Sequence, residues 1–212
     1  MKRLALGLLL AGVLLMLAGC QTDKKQAESI RGTLDEAVPM EKEFQSGQEA
    51  LTQEREKVQA IYGKVLAMEN TDTGAIRQLA GKHEVAEELK LLKTAQADFK
   101  NVHEKIGAIQ KTVDGIKDGD QKEEAAKLVK LENDRKKAMD TYFAAYQDQL
   151  ETETAFFDHL EQGQFDLKVI DDQVHHINDD SGKMGEAIEQ FNAYTKQFND
   201  AQQTYFNMAG LD

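Results

Sequence analysis

The densest set of potential metal ligands is the run Asp171-Asp172-Gln173-Val174-His175-His176-Ile177-Asn178-Asp179-Asp180. On a helix, Asp172 shares a face with His175 and His176, and His176 shares one with Asp180. A carboxylate and an imidazole at such spacing can hold one metal ion. Asp172, His175, His176 and Asp180 are therefore the candidate metal ligands. The apolar seam through Val174 and Ile177 places His175 and His176 at heptad positions b and c, facing water, so a solvated helix face is the expectation. Di-iron bundle sites use Glu and Glu-x-x-His projecting inward from all four helices, a pattern this chain lacks. In His83-Glu84-Val85-Ala86-Glu87, Glu87 stands where a zinc-protease helix needs its second histidine. That segment reads as a surface ion-pair row. His103 and His159 have no nucleophile and acid at a recognisable spacing, and no G-x-S-x-G elbow, Walker loop or Rossmann fingerprint occurs. The expectation is a protein with no catalytic residues and no cofactor.

The sulfur chemistry is of another kind. Met1-Lys2-Arg3 is a positive n-region, Leu4 to Met16 is apolar apart from two glycines, and Leu17-Ala18-Gly19-Cys20 precedes a polar run. The apolar stretch falls short of the ~20 residues a transmembrane helix needs, and the layout is that of a secretory signal. Leu17, Ala18, Gly19 and Cys20 resemble a bacterial lipobox, in which the cysteine thiol is diacylated (a palmitate-class modification) and the chain is cut before it. Cys20 is the sole cysteine, which also excludes an intrachain disulfide framework. Two acyl chains hold a protein stably on a bilayer. The expected location is the extracytoplasmic face of the cell membrane, with residues 1–19 a cleaved signal peptide and 20–26 the lipidated cysteine and a short tether.

The elements that follow are long helices. Leu167, Ile170, Val174, Ile177, Ser181, Met184, Ile188, Phe191, Thr195, Phe198, Gln202, Tyr205 and Ala209 repeat at spacings of three and four. That is a heptad seam along one helix. Leu128, Leu131, Met139, Tyr142, Tyr146, Leu150, Phe156 and Leu160 suggest a third helix. Leu79, Ala86, Leu89, Leu92, Phe99, Val102, Ile106, Ile109, Val113 and Ile116 suggest a second. Ile30, Leu34, Ala37, Phe44, Leu51, Val58, Ile61 and Val65 suggest a first. Turns are expected at Asn70–Gly74, Lys117–Asp120 and Glu161–Gln164, with Asp166 an N-cap and Gly210 a C-terminal cap. The helices then cover 27–69, 73–116, 121–162 and 166–209, each about 43 residues or ~64 Å. Pro39 lies inside the first and is expected to kink it. The predicted fold is all-α: an elongated four-helix up-and-down antiparallel bundle with coiled-coil-like packing over 27–212, after a cleaved lipoprotein signal peptide. Cys20, the Lys117–Asp120 turn and the C-terminus should share one end.

Charge narrows the partners. The chain has 212 residues with 38 acidic and 26 basic, a net charge of −12 that becomes −14 once Lys2 and Arg3 are removed. Nucleic acid is excluded as a partner, and anionic polymers and lipids should be repelled overall. The densest basic run, Lys122, Lys127, Lys130, Arg135, Lys136 and Lys137, alternates with Glu123, Glu124, Glu132 and Asp134 and reads as a salt-bridged face. Eleven of fourteen aromatics follow residue 140. Core packing is expected for them, and an exposed Phe157 or Phe206 would mark a partner surface.

The lipobox, the four-helix heptad plan and the run Phe191-Asn192-Ala193-Tyr194-Thr195-Lys196-Gln197-Phe198-Asn199, closing with Ala209-Gly210-Leu211, resemble the YkyA-like cell-wall-binding lipoproteins of Gram-positive bacteria. The likeness spans the mature chain. It implies an extracytoplasmic four-helix bundle that binds the cell wall or an envelope protein, with no catalytic residues to carry over. The alternative reading is an extracytoplasmic metal or small-ligand binding protein built on Asp171–Asp180.

Overall fold

The computed structural model describes residues 2–67, 74, 81–164 and 166–211. They form α1 (Lys2–Ala67), α2 (Lys82–Gly107), the short α3 (Gln110–Asp114), α4 (Gly119–Glu161) and α5 (Leu167–Met208), with no strand among the described residues. The expected turn at Asn70–Thr73 and the seam residue Leu79 lie outside those residues.

The helix ends follow local chemistry. The Asp118 carboxylate accepts the Gln121 N–H at 2.9 Å and opens α4, and Asp166 accepts the Lys168 N–H at 2.9 Å and opens α5. Gly210 takes φ 67°, which lets the Leu211 N–H reach back to the Phe206 carbonyl at 3.0 Å and close α5. Gly163, at φ 71°, does the same for α4.

Two expectations about the helices change. The first helix does not start at 27: it already includes 22–26. As expected, Pro39 lies inside it and the helix continues on both sides. Pro39 forfeits only the bond to the Asp35 carbonyl, and Ile30, Leu34 and Ala37 beside it are buried. The second helix is not single. The Ala108 and Ile109 N–H groups bond three residues back, to Lys105 and Ile106, so the chain tightens at Gly107 before α3. The tightening keeps Ile106, Ile109, Val113 and Ile116 all buried.

The chain divides into two compact units. Unit 1 comprises Met1–Pro39, Val102–Lys136 and Asn192–Asp212, and unit 2 comprises Met40–Asn101 and Lys137–Phe191. In unit 2, Phe44 packs on Phe99 and Arg55 lies by Glu88, so α1 and α2 are antiparallel. Gln48 meets Tyr142 while Tyr62 meets Phe156, so α1 and α4 are parallel. Ser181 bonds Gln149 and Gln173 meets His159, so α4 and α5 are antiparallel. This is the up-down-up-down order. Unit 1 repeats it: Gln26 lies by Gly115, His103 by Glu132, and Arg31 by Phe206.

The buried positions make the packing rule explicit. On α2 and α3 the buried line is Val85, Glu88, Leu92, Ala95, Phe99, Val102, Ile106, Ile109, Val113 and Ile116. This corrects the seam expected through Ala86 and Leu89. Ala86 is exposed and Leu89 half-buried, because the true line passes through Glu88, a residue that an apolar count skips.

Candidate functional site

Unit 1 contains the end of the chain that carries Cys20. The side chains of Leu17, Ala18, Gly19 and Cys20 lie outside the described residues. Three residues later Asp23 is only 2% exposed. Its carboxylate accepts the Lys117 N–H at 3.0 Å and the Asp118 N–H at 2.9 Å. A buried carboxylate needs such donors, and two charge-assisted bonds hold it. Asp23 thus ties α1, three residues past Cys20, to the residues that cap α4. Tyr205 is fully buried, and burial together with the Asp23 charge pushes its hydroxyl up to about 12. Ala27, Ile30 and Leu211 complete the apolar packing of unit 1 here. Cys20, the 115–118 loop and the C-terminal turn therefore share one end, as the alternating helix directions required.

Unit 2 holds a polar cluster inside its core. Glu88 and Glu153 are fully buried, and Arg55 Nη1 lies 3.6 Å from Glu88 Oε1 and 2.5 Å from Glu153 Oε1. The Tyr146 hydroxyl donates to Glu88. Gln149 Nε2 donates to Glu153 at 2.7 Å, and its oxygen accepts from Ser181 Oγ at 3.0 Å. All four long helices contribute. Glu88 Oε2, Glu153 Oε2 and the Tyr62 hydroxyl have no hydrogen-bond partner among the described residues. Two carboxylates face one guanidinium, so the group carries an excess negative charge unless it holds a proton. Burial pushes Glu88 up to about 7, with Tyr146 and Arg55 opposing and Glu153 adding to the rise. Burial opposes the charge on Arg55, but Glu153 and Glu88 more than offset it and its pKa lies above the ordinary value. Burial raises Tyr62, Tyr142 and Tyr146 far above the phenol range, so all three stay protonated. The cluster can bind one proton and can fix the pairing of four helices.

Unit 1 has a smaller counterpart. His103 Nδ1 lies 3.2 Å from Glu132 Oε1, and Arg135 Nη1 donates to Glu132 Oε2 at 2.8 Å. Arg135 also bonds Thr195 and stacks on the Phe198 ring at 5.3 Å. His103, unplaced by sequence, is thus a core hydrogen-bonding group.

The sequence-derived metal candidates are not brought together. Asp172, His175 and His176 are exposed, while Asp180 is buried and paired with Lys183 at 2.7 Å. His175 faces Asp171 at 3.7 Å across a turn open to solvent. Among the described residues no three His, Cys, Asp or Glu side chains are grouped to hold a metal ion. In the basic run on α4, Lys127 pairs with Glu124 at 2.6 Å and Lys130 with Asp134 at 3.3 Å on the expected solvated face, but Arg135 and Glu132 depart from it and pair in the core. Phe157 and Phe206 are buried, Phe157 against Phe156 and Tyr62. No helix among the described residues is long and apolar enough to cross a membrane.

The Arg55–Glu88–Glu153 cluster and Asp23 were missed by sequence reading. Their signal lay in the register. Asp23, Ala27, Ile30, Leu34, Ala37, Phe44, Leu51, Arg55 and Val58 fall on one heptad line of α1, and Leu128, Glu132, Arg135, Met139, Tyr142, Tyr146, Gln149, Glu153 and Phe156 on one of α4. Polar residues at such positions are buried polar groups.

Similarity to other proteins agrees with this architecture. A protein from Bacillus subtilis (strain 168) called "Uncharacterized lipoprotein YkyA" is 24% identical over 198 residues, covering 92% of this chain and 88% of that protein. A 1.6 Å crystal structure of a conserved protein of unknown function from Staphylococcus aureus superposes with a TM-score of 0.62 at 17% identity, over 87% of this chain and 93% of that one. That likeness establishes the helical-bundle fold. Residues 25–208 match the YkyA family, described as "Putative cell-wall binding lipoprotein", and the chain belongs to that family of lipoproteins.

Proposed function

We propose that the protein is a non-catalytic lipoprotein, held on the extracytoplasmic face of the cell membrane by acyl chains on Cys20. Its role is to present a helical bundle to the cell wall or to an envelope protein. The observation that carries this reading is the family match over residues 25–208, which begins five residues after the Leu17-Ala18-Gly19-Cys20 lipobox. The buried polar groups support a non-catalytic role. Glu88 and Glu153 share the Arg55 guanidinium between packed helices, away from any open cleft among the described residues, and His103 is bonded to Glu132.

The net charge shapes the mode of binding. A chain at −14 after processing meets anionic wall polymers through divalent cations or through a local basic surface. The test is sedimentation of residues 21–212 with purified cell walls, with and without their anionic polymers, in Mg²⁺ or in EDTA. Saturable binding in either medium supports the reading, and its loss in EDTA assigns it to cation bridging. Absence of binding in every condition refutes direct wall contact and leaves a protein partner, to be captured by crosslinking in intact cells.

A further inference from the structure

The chain between the anchor and the folded body has no slack. Asp23 is buried and clamped to the Lys117 and Asp118 N–H groups, three residues after Cys20. Residues 20–23 belong to α1. Three residues rise ~4.5 Å in a helix and span at most ~10 Å when extended. The polar headgroup layer of one leaflet is itself ~5–8 Å deep. Whatever the course of residues 20–22, Asp23 and the loop it holds lie at headgroup level once Cys20 carries its acyl chains.

That end presents cations. Lys24 and Lys25 on α1, Lys117 in the loop and Lys122 in the first turns of α4 are all exposed. Carboxylates lie among them: Asp118 accepts from the Gln121 N–H, Asp114 accepts from Gln110, and Asp120 and Glu123 are exposed. Lys122 also reaches the Asp114 carbonyl at 2.9 Å.

We propose that Asp23 turns the lipid anchor into a rigid joint, and that this end of unit 1 rests on the bilayer as a surface for lipid phosphate groups, contacted by Lys24, Lys25, Lys117 and Lys122. The proposal rests on the lipidation of Cys20 stated above. It places four ammonium groups at headgroup depth, interspersed with the carboxylates of Asp118, Asp120 and Glu123, so their contact with lipid phosphate is local and is screened by salt.

The test uses the lipidated protein in vesicles of phosphatidylcholine and phosphatidylglycerol carrying a nitroxide on the headgroup. Gly119→Cys supplies the one free thiol for a fluorophore, at an exposed position where a Cβ meets nothing within 4 Å. Strong quenching is expected. A Gly/Ser insertion of about eight residues between Gln21 and Thr22 adds up to ~26 Å of slack and should cut quenching at least about two-fold, with the vesicle-bound fraction unchanged. Replacing the four lysines by glutamine should lower quenching only where phosphatidylglycerol is present. Equal quenching with and without the insertion overturns the rigid joint. Quenching that ignores both the lysine replacements and phosphatidylglycerol overturns the phosphate contact. A chain that never partitions into vesicles overturns the lipidation reading instead, and is separated from the other outcomes by the bound fraction alone.

Discussion

Glu88→Gln should flatten the dependence of stability on pH. In the folded protein Glu88 is fully buried, accepts from the Tyr146 hydroxyl, and shares Arg55 with Glu153. Burial raises its pKa from 4.5 to about 7. A raised carboxyl binds its proton more tightly when folded. Its contribution is therefore fully present below pH 4.5 and is lost as pH rises to about 7, after which it is flat. At 1.36 kcal/mol per pKa unit, the loss is about 3 kcal/mol. Glutamine stands in for the protonated acid, with one oxygen to accept from Tyr146 and no charge to bury. The difference in stability between Glu88→Gln and wild type should then move by about 3 kcal/mol in the variant's favour from pH 4.5 to pH 8, or roughly 6–12 °C in Tm for a chain of this size. Taking the difference cancels the titration of the remaining carboxylates. The assay is urea and thermal unfolding followed by circular dichroism at constant ionic strength. Two curves that stay parallel within about 0.5 kcal/mol across that range would refute the shared-proton account.

Other perturbations read other parts of the structure. Arg55→Met leaves two buried carboxylates without a cation and should cost about 3–5 kcal/mol in urea unfolding; a cost below about 1 kcal/mol would mean that the cluster is solvated. Asp23→Ala removes the acceptor for the Lys117 and Asp118 N–H groups. It should cost about 1–3 kcal/mol and speed hydrogen exchange at those two amides, whereas unchanged exchange there would contradict the clamp. Phe99→Ala removes the ring on which Phe44, Phe143 and Phe191 pack. A loss of about 3–5 kcal/mol is expected by the same unfolding assay.

The legible part of the fold was the part governed by apolar periodicity. The caps at Asp166 and Gly210 appear as read, because local chemistry decides them; the α5 seam is buried at Ile177, Phe198, Tyr205 and Ala209, whereas Ser181 is exposed and Asp180, Ala187 and Ala201 are buried beside it. The break at Gly107 was not legible. The apolar 3-4 spacing runs straight through it, and only the three-residue bonds at Ala108 and Ile109 reveal the tightening. Pro39 stays inside α1, in keeping with the packing of Ile30, Leu34 and Ala37 on its N-terminal side. The buried charges were hidden by the habit of tracing seams through apolar residues only. Glu88 lies between Val85 and Leu92 at heptad spacing, and Arg55 between Leu51 and Val58. Position alone marks them as inward, but which of them meet depends on the register of four helices, and no single helix encodes that. Asp23 is the same case, since its partners are backbone N–H groups 94 and 95 residues away.

The account depends most on what happens at Cys20. Mass spectrometry of the N-terminal peptide of the protein, recovered from the membrane fraction of cells that make it, measures this directly. The account predicts a chain that begins at Cys20 and carries diacylglycerol on the cysteine sulfur, with Cys20→Ala losing both the modification and the membrane association. An N-terminal peptide that retains Leu17-Ala18-Gly19, or an unmodified Cys20 in membrane-bound protein, would contradict it.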